Sequence, residues 1–407
     1  MLTAMESVAG AQHRILRGLT TTGVETVLLG AALGRVLAGP VMSARTIPGF
    51  DNSAMDGYAV RSADVSGASP GRPAELTVIG ESRAGTSPLG SVAAGTAMRI
   101  MTGAPLPEGA DAVVRHEDTD DGRVRVRVRR SVASGHDVRR AGEDMRPGDR
   151  VMDAGRLLRS HDLAACAALG RVEMEVHRRP RVAVLSTGDE LVEPDQEPGS
   201  GQIVDSNGVA IAAAVEEAGG VPVRLGIARD TVTELRQRLL DAAACDLIVS
   251  TAGVSVGDHD HVRDAVAQLG AIDLWRVAMR PGKPLAVGHV RGTPFLGLPG
   301  NPVSSQVTFE LFARPAIRAL QGATEVHRRR WRARALEAMA APEGLETFGR
   351  GALRPAAGDD GMPGVTLTGP QGSGVMRSLV RADCLVCLPR EGTGVAAAET
   401  VEVLPLG

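Results

Sequence analysis

Aromatic side chains are nearly missing from this 407-residue chain: five Phe, two Trp and one Tyr make up 2% of it. Its cores must therefore rest on Val, Leu, Ala and Ile. Lysine is scarcer still, since Lys283 is the only one among forty-five Lys plus Arg. The four cysteines are too few and too scattered for a disulfide framework in a chain this long. Cys384 and Cys387 form a C-x-x-C, yet no second pair completes a zinc tetrahedron, so "ADCLVCLP" reads as a buried strand. No run reaches the roughly 18 apolar residues of a membrane helix, and the N-terminus lacks the basic-then-apolar layout of a signal peptide. The expectation is a cytoplasmic chain with no membrane partner. A net charge of −3 leaves no face flooded with cations, which argues against a nucleic-acid partner.

What is present is ordinary globular material, 43% apolar and 23% charged, long enough for two to four domains at roughly 150 residues each. "MESVAGAQHRILRGL" and "TVLLGAALGRVLAG" carry apolar residues at helical spacing up to Gly39-Pro40, which predicts a helical entry segment. Short β-like runs then follow between Gly and Pro turns. Among them, "RVRVRVRR" (Arg123 to Arg130) alternates as a strand with one wet basic face does. A short helix is predicted in "SHDLAACAALG". After the basic hinge "HRRPR", apolar runs such as "RVAVLSTG", "VPVRLGIA", "DLIVSTAG", "LWRVAM" and "TPFLGLPG" are interleaved with helical stretches, the clearest being "SNGVAIAAAVEEAG" and "TVTELRQRLLDAAA". That rhythm implies a mostly parallel sheet covered on both faces. Short strands return from about residue 326.

In parallel sheets, ligands bind beyond the carboxyl ends of the strands, and the polar clusters of this chain stand there. Asp189 and Glu190 follow one strand, Asp230 another, and Thr251 through Ser255 to Asp260 a third. Arg280 and Lys283 follow a fourth, and "GLPGNPVSS" turns into a helix beginning with Pro302. Glycine and serine turns expose N–H and hydroxyl donors that cradle an oxyanion, and carboxylates beside them suit Mg²⁺. A site that keeps the one lysine of an arginine-rich chain is a site that needs a compact point charge rather than a planar fork. Walker A and G-x-G-x-x-G spacings are absent. In the β-rich stretch, "PGFDNSAMDGYAV" and "RIMTGAPLPEGADAVV" are too rich in specific polar groups for plain hairpins, but what they bind is not legible from chemistry alone.

In order along nearly the whole chain, "DNSAMDGYAV", "RIMTGAPLPEGADAVV", "GEDMRPGD", "LSTGDEL", "DSNG", "TAGVSVGDHD", "MRPGKP", "GLPGNPVS" and "QGSGVMRSL" resemble the molybdopterin molybdenumtransferase family, the MoeA-type enzymes related to a domain of gephyrin. The resemblance implies a multidomain α/β plus β fold. Its parts are a split N-terminal helical/linker domain (1–44 and 144–177), a β-rich insertion domain (45–143), a MogA-like α/β domain with a mostly parallel sheet (178–325) and a C-terminal small β-barrel (326–407). It also implies a homodimer with a composite active site between the α/β domain of one subunit and the insertion of the other, and contact with the molybdopterin adenylyltransferase. The implied reaction is Mg²⁺-dependent: adenylylated molybdopterin and molybdate give molybdenum cofactor and AMP.

Carried over by motif, Asp56, Thr102, Asp144, Glu190, Asp230 and Asp260 line the pterin-nucleotide region, with Glu190, Asp230 and Asp260 as metal ligands. Ser255, Arg280, Lys283, Arg350 and Ser373 form the oxyanion pocket, with Pro284, Pro299, Asn301 and Pro302 alongside. Ala252 stands where the family often has a second glycine, Arg280 where some members carry lysine or glutamine, and Asp383-Cys384 where Asn-Gly is more usual. Two rival readings are a molybdopterin adenylyltransferase, which resembles the α/β domain alone, and a non-catalytic dimeric scaffold of the gephyrin kind.

Overall fold

The computed structural model describes residues 5–251, 261–356 and 361–407. Contacts divide the chain into two compact units. One is Pro40–Asp153 with Ala165–Arg171; the other is Met1–Gly39 with Ala154–Ala164 and Val172–Gly407.

The first unit is built on a five-stranded sheet in the order Ala112–Arg115, Gly57–Val60, Thr96–Ile100, Ala74–Ser82, Arg125–Val128. Every pairing is antiparallel except that of Thr96–Ile100 with Ala74–Ser82. Along Arg125–Val128 the arginines are exposed and the valines buried, as a half-buried strand requires. The valines join Tyr58, Val60, Leu76 and Val114 in one core. Each such fully buried side chain is worth about 1.5–3 kcal/mol. Gly57 is demanded by close approach: a Cβ there would lie 2.0 Å from the Val114 carbonyl oxygen.

In the second unit the helix Val8–Arg17, capped by Ser7, buries Val8, Ala11 and Ile15 in the main core. The apolar run after it does not continue as helix. Val24–Leu28 is a strand paired antiparallel with Glu173–His177, followed by a single 3₁₀ turn at Leu29–Ala31. Val24, Thr26 and Val27 are β-branched, and the available partner strand outweighs the helical spacing.

The six-stranded α/β sheet has the order Val221–Ala228, Arg181–Thr187, Leu247–Thr251, Thr293–Leu298, Pro284–Val290, Gly270–Arg276. Its first four strands are parallel, and the last two pairings are antiparallel, so that only Pro284–Val290 runs against the rest. The mostly parallel sheet expected from the sequence is therefore present, with an antiparallel edge. Ser206–Glu217, Pro302–Thr308 and Arg314–Leu320 contribute to the core on one face, together with the N-terminal helix. Val232–Ala242 and His261–Leu269 contribute to the other.

The C-terminal strands Trp331–Ala335, Glu346–Arg354, Gly364–Leu367, Cys384–Leu388 and Thr400–Pro405 close on themselves as a five-stranded barrel. Cys384–Leu388 is buried throughout, as the sequence implies for a structural strand. Burial pushes both of its thiols up to about 12. The unusual Asp383 ties its turn down: its carboxylate accepts from Leu353 N at 2.9 Å, and its own N–H donates to Gly351 O at 2.9 Å.

Candidate active site

Strand register gathers the polar segments along one edge of the α/β sheet. Thr187 lies opposite Ala228, Ser186 opposite Thr251, Thr251 opposite Leu298, and Arg276 opposite Pro284. The chain leaves each of these strand ends carrying candidate residues. Past Ala228, the Asp230 N–H donates to Asp189 Oδ1 at 3.2 Å, while Arg229 Nη1 donates to the Asp189 carbonyl at 3.0 Å. Desolvation, and then the charges of Asp189 and Glu190, raise the pKa of Asp230 above the ordinary carboxylate value. Glu190 sits under the loop, because a Cβ on Gly188 would meet its carboxylate at 2.5 Å. These acids form no ion pair with any described residue. Ser255 and Asp260 lie outside the described residues, as does Ala252. Among the described residues no group of three or more His, Cys, Asp or Glu is gathered closely enough to hold a metal ion.

The opposite charge arrives on a different path. After Arg276 the chain steps out of the α/β sheet, and Met279–Arg280 pairs with Glu346–Thr347 of the barrel. It then turns at Gly282 (φ +97°) and re-enters as Pro284–Val290. Lys283 is exposed at that turn, anchored by its carbonyl, which accepts from Val277 N at 2.8 Å. Its ammonium forms no ion pair with a described residue.

Arg350 lies three residues along the barrel strand from Thr347, the partner of Arg280, and it is 1% exposed. Among the described residues its guanidinium has only neutral partners: Nε donates to Ser378 Oγ at 3.0 Å and Nη2 to the Gly372 carbonyl at 3.1 Å. Burial, aggravated by the nearby charge of Arg280, pushes Arg350 down to about 10. A cation buried without a counterion and facing a second cation is a prepared anion site. The neighbouring Ser373 carbonyl accepts from Val303 N at 3.0 Å, which clips the barrel loop to the first turn of Pro302–Thr308. Asn301 stands at the N-cap position of that helix and Pro302 begins it, while Pro299 is buried just before. Asn207 Nδ2 holds the same turn through the Gly300 carbonyl at 2.7 Å.

In the other unit, antiparallel pairing of Gly57 with Ile100 brings the residues flanking those strands side by side. Asp56 Oδ1 accepts from both the backbone N and the hydroxyl of Thr102, each at 2.7 Å. The Thr102 N–H first, then its hydroxyl, lower the Asp56 pKa, so this exposed carboxylate is held ionised. Asp144 is exposed, and its N–H donates to the Ile47 carbonyl at 3.1 Å. Sequence reasoning singled out Arg350 but not Gln371 or Ser378, which hold it; neutral partners of a buried cation leave no mark in composition or spacing.

Three family descriptions match the chain in succession. They are the MoeA N-terminal region (domain I and II) over residues 6–170, a probable molybdopterin binding domain over 183–319, and the MoeA C-terminal region (domain IV) over 332–406. A molybdopterin molybdenumtransferase of Mycobacterium tuberculosis is 39% identical over 410 residues, covering 99% of this chain and all of that protein. A Nostoc molybdopterin molybdenumtransferase is 45% identical over 303 residues, 73% of this chain and 70% of its own. The crystal structure of a molybdopterin biosynthesis protein moeA from Pyrococcus horikoshii superposes with a TM-score of 0.85 at 28% identity, covering 99% of this chain and 100% of that one. Fold and site thus define a transferase of molybdenum cofactor biosynthesis. The chain belongs to the MoeA family of molybdopterin molybdenumtransferases, as its motifs implied.

Proposed function

We propose that this chain is the molybdenum insertase itself, taking adenylylated molybdopterin and molybdate to molybdenum cofactor with release of AMP. The observation that carries the reading is Arg350, a guanidinium 1% exposed with no carboxylate partner among the described residues. With Arg280 beside it and Lys283 at the adjoining turn, it offers charge-assisted hydrogen bonds to a compact tetrahedral dianion. Ser255 and Ser373 add donors to that pocket, and Pro284, Pro299, Asn301 and Pro302 shape its rim.

Glu190 and Asp230 supply only hard oxygen donors, and desolvation first, then the charges of Asp189 and Glu190, raise the pKa of Asp230. Such a set fits Mg²⁺, with Asp260 as a further ligand. When bound, the ion neutralises charge on the phosphate that leaves with AMP. The side chains do the rest: Lys283 and Arg350 bind and orient the oxyanion, while Asp56 and Thr102 of the insertion, with Asp144 just after it, present a carboxylate and hydroxyl surface to the pterin nucleotide.

We further assign four domains, 1–44 with 144–177, 45–143, 178–325 and 326–407, and a homodimer in which the insertion of one subunit completes the site of the other. Contact with the adenylyltransferase that supplies the substrate follows from the reaction order. A cytoplasmic location fits this role. Among the described residues no helix is long and apolar enough to cross a membrane.

The test is AMP release by purified protein from adenylylated molybdopterin on adding molybdate and Mg²⁺. Turnover supports the insertase. Formation of adenylylated pterin from ATP instead would make the chain an adenylyltransferase, and no turnover of either kind would favour the scaffold reading.

A further inference from the structure

The surroundings of Arg350 carry an inference about how the oxyanion is recognised, resting on the insertase reading above. An arginine used for geometric recognition must be held so that its fork points one way. Three groups do this here. Gln371 brackets the peptide of Arg350: its Oε1 accepts from Arg350 N at 2.8 Å, and its Nε2 donates to the Arg350 carbonyl at 3.3 Å. Ser378, 1% exposed, accepts from Nε at 3.0 Å and passes its own proton to the Val375 carbonyl at 2.6 Å. The Gly372 carbonyl takes Nη2 at 3.1 Å. Thr368 closes the assembly, donating to the Ser378 carbonyl at 2.7 Å. With Nε and one Nη2 proton occupied, the Nη1 edge is left without a partner among the described residues.

We propose that Gln371 and Ser378 are positioning residues for oxyanion capture, fixing the backbone and the guanidinium plane of Arg350 so that only its Nη1 edge meets the anion. Ser378 has a particular duty. Because its hydroxyl proton is committed to Val375, its oxygen is forced to act as acceptor, which locks the rotation of the guanidinium about its last bonds. A preset fork loses less freedom on binding than a mobile one. Because Gln371 and Ser378 bond Arg350 itself, the effect is expected on the oxyanion rather than on the nucleotide.

The experiment compares the native enzyme with Ser378→Ala and, independently, Gln371→Met, since either substitution alone can upset the barrel. Molybdate and tungstate binding are measured by calorimetry, and steady-state AMP release gives KM for molybdate, KM for adenylylated molybdopterin and kcat. The proposal expects oxyanion affinity and molybdate KM to worsen about tenfold, one decade corresponding to about 1.4 kcal/mol. The pterin-nucleotide KM stays near native, while the melting temperature falls only by the few degrees that losing one buried hydrogen bond costs. Unchanged oxyanion affinity in both variants overturns it, as does parallel loss of every constant together with melting temperature. If the native protein binds the oxyanions without releasing AMP, the insertase reading fails while calorimetry still decides the positioning role. Native protein that binds neither oxyanion overturns the positioning role itself.

Discussion

Replacing Arg350 by methionine asks whether the barrel arginine is held for an anion or for the fold. The side chain is 1% exposed, and its protonated form is disfavoured enough to titrate near 10. At about 1.4 kcal/mol per pH unit, that depression corresponds to roughly 3 kcal/mol of charge burial. The sign follows from linkage. Folded and unfolded chains are both protonated at neutral pH, so the penalty is fully present there and is relieved only as pH rises through about 10. Opposing it are two hydrogen bonds from the guanidinium, at about 1.5–3 kcal/mol each, which the variant loses. Methionine regains about 1–2 kcal/mol through apolar burial. These contributions nearly cancel, so the empty variant is expected within about 2 kcal/mol of native stability.

Molybdate separates the two cases. At a hundred times its Kd it stabilises the native protein by about 2.7 kcal/mol, which moves the melting temperature by roughly 5–10 °C. It leaves the Arg350→Met protein unmoved. The assay is a thermal melt with and without molybdate, paired with urea titration of the empty proteins. A variant that loses more than about 4 kcal/mol when empty would mark Arg350 as structural. A variant whose melting point still rises with molybdate would refute the anion-site argument.

Other outcomes follow from the same geometry. Lys283→Arg should leave the melting temperature unchanged, because the ammonium is exposed and forms no ion pair with a described residue, yet lower kcat/KM for AMP release at least about tenfold; equal activity would mean the lone lysine has no special duty. Gly282→Ala should cost about 1–3 kcal/mol by urea denaturation, since φ is +97° and the new Cβ would meet Thr308 Cγ2 at 2.4 Å; a neutral result would show that the turn before Lys283 relaxes freely. Thr102→Val should raise the Asp56 titration towards the ordinary aspartate value, because one of two donors to the carboxylate is lost, and carbonyl-detected NMR reads this directly. Cys384 and Cys387, buried and held near 12, should resist thiol reagents at pH 8 until the barrel is unfolded.

Much of this molecule was legible before any coordinates. The alternation of Arg125 to Val128, the buried run Cys384 to Leu388 and the helices capped by Asp205 and Thr231 are written in local patterns of period two or 3.6. The ordered motifs named the family. The misread segment, Val24–Leu28, shows the limit of such patterns. Its spacing suits a helix, but Glu173–His177, nearly 150 residues later, provides a ladder for it.

What the sequence determined by itself was the chemistry available and the order in which it is delivered: acids after three strands, cations after a fourth, a glycine-rich turn into a helix. Only the tertiary structure decided which of these groups act on one another. The departure of Met279–Arg280 from the α/β sheet to the barrel sets Arg280 against Arg350, and the Gln371–Ser378 loop then leaves the buried guanidinium with neutral partners and one open edge. The reason is physical. Side-chain type and period are local properties of the chain, whereas desolvation and charge repulsion depend on distances between segments remote in sequence, and those distances exist only once the barrel has closed and packed against the sheet.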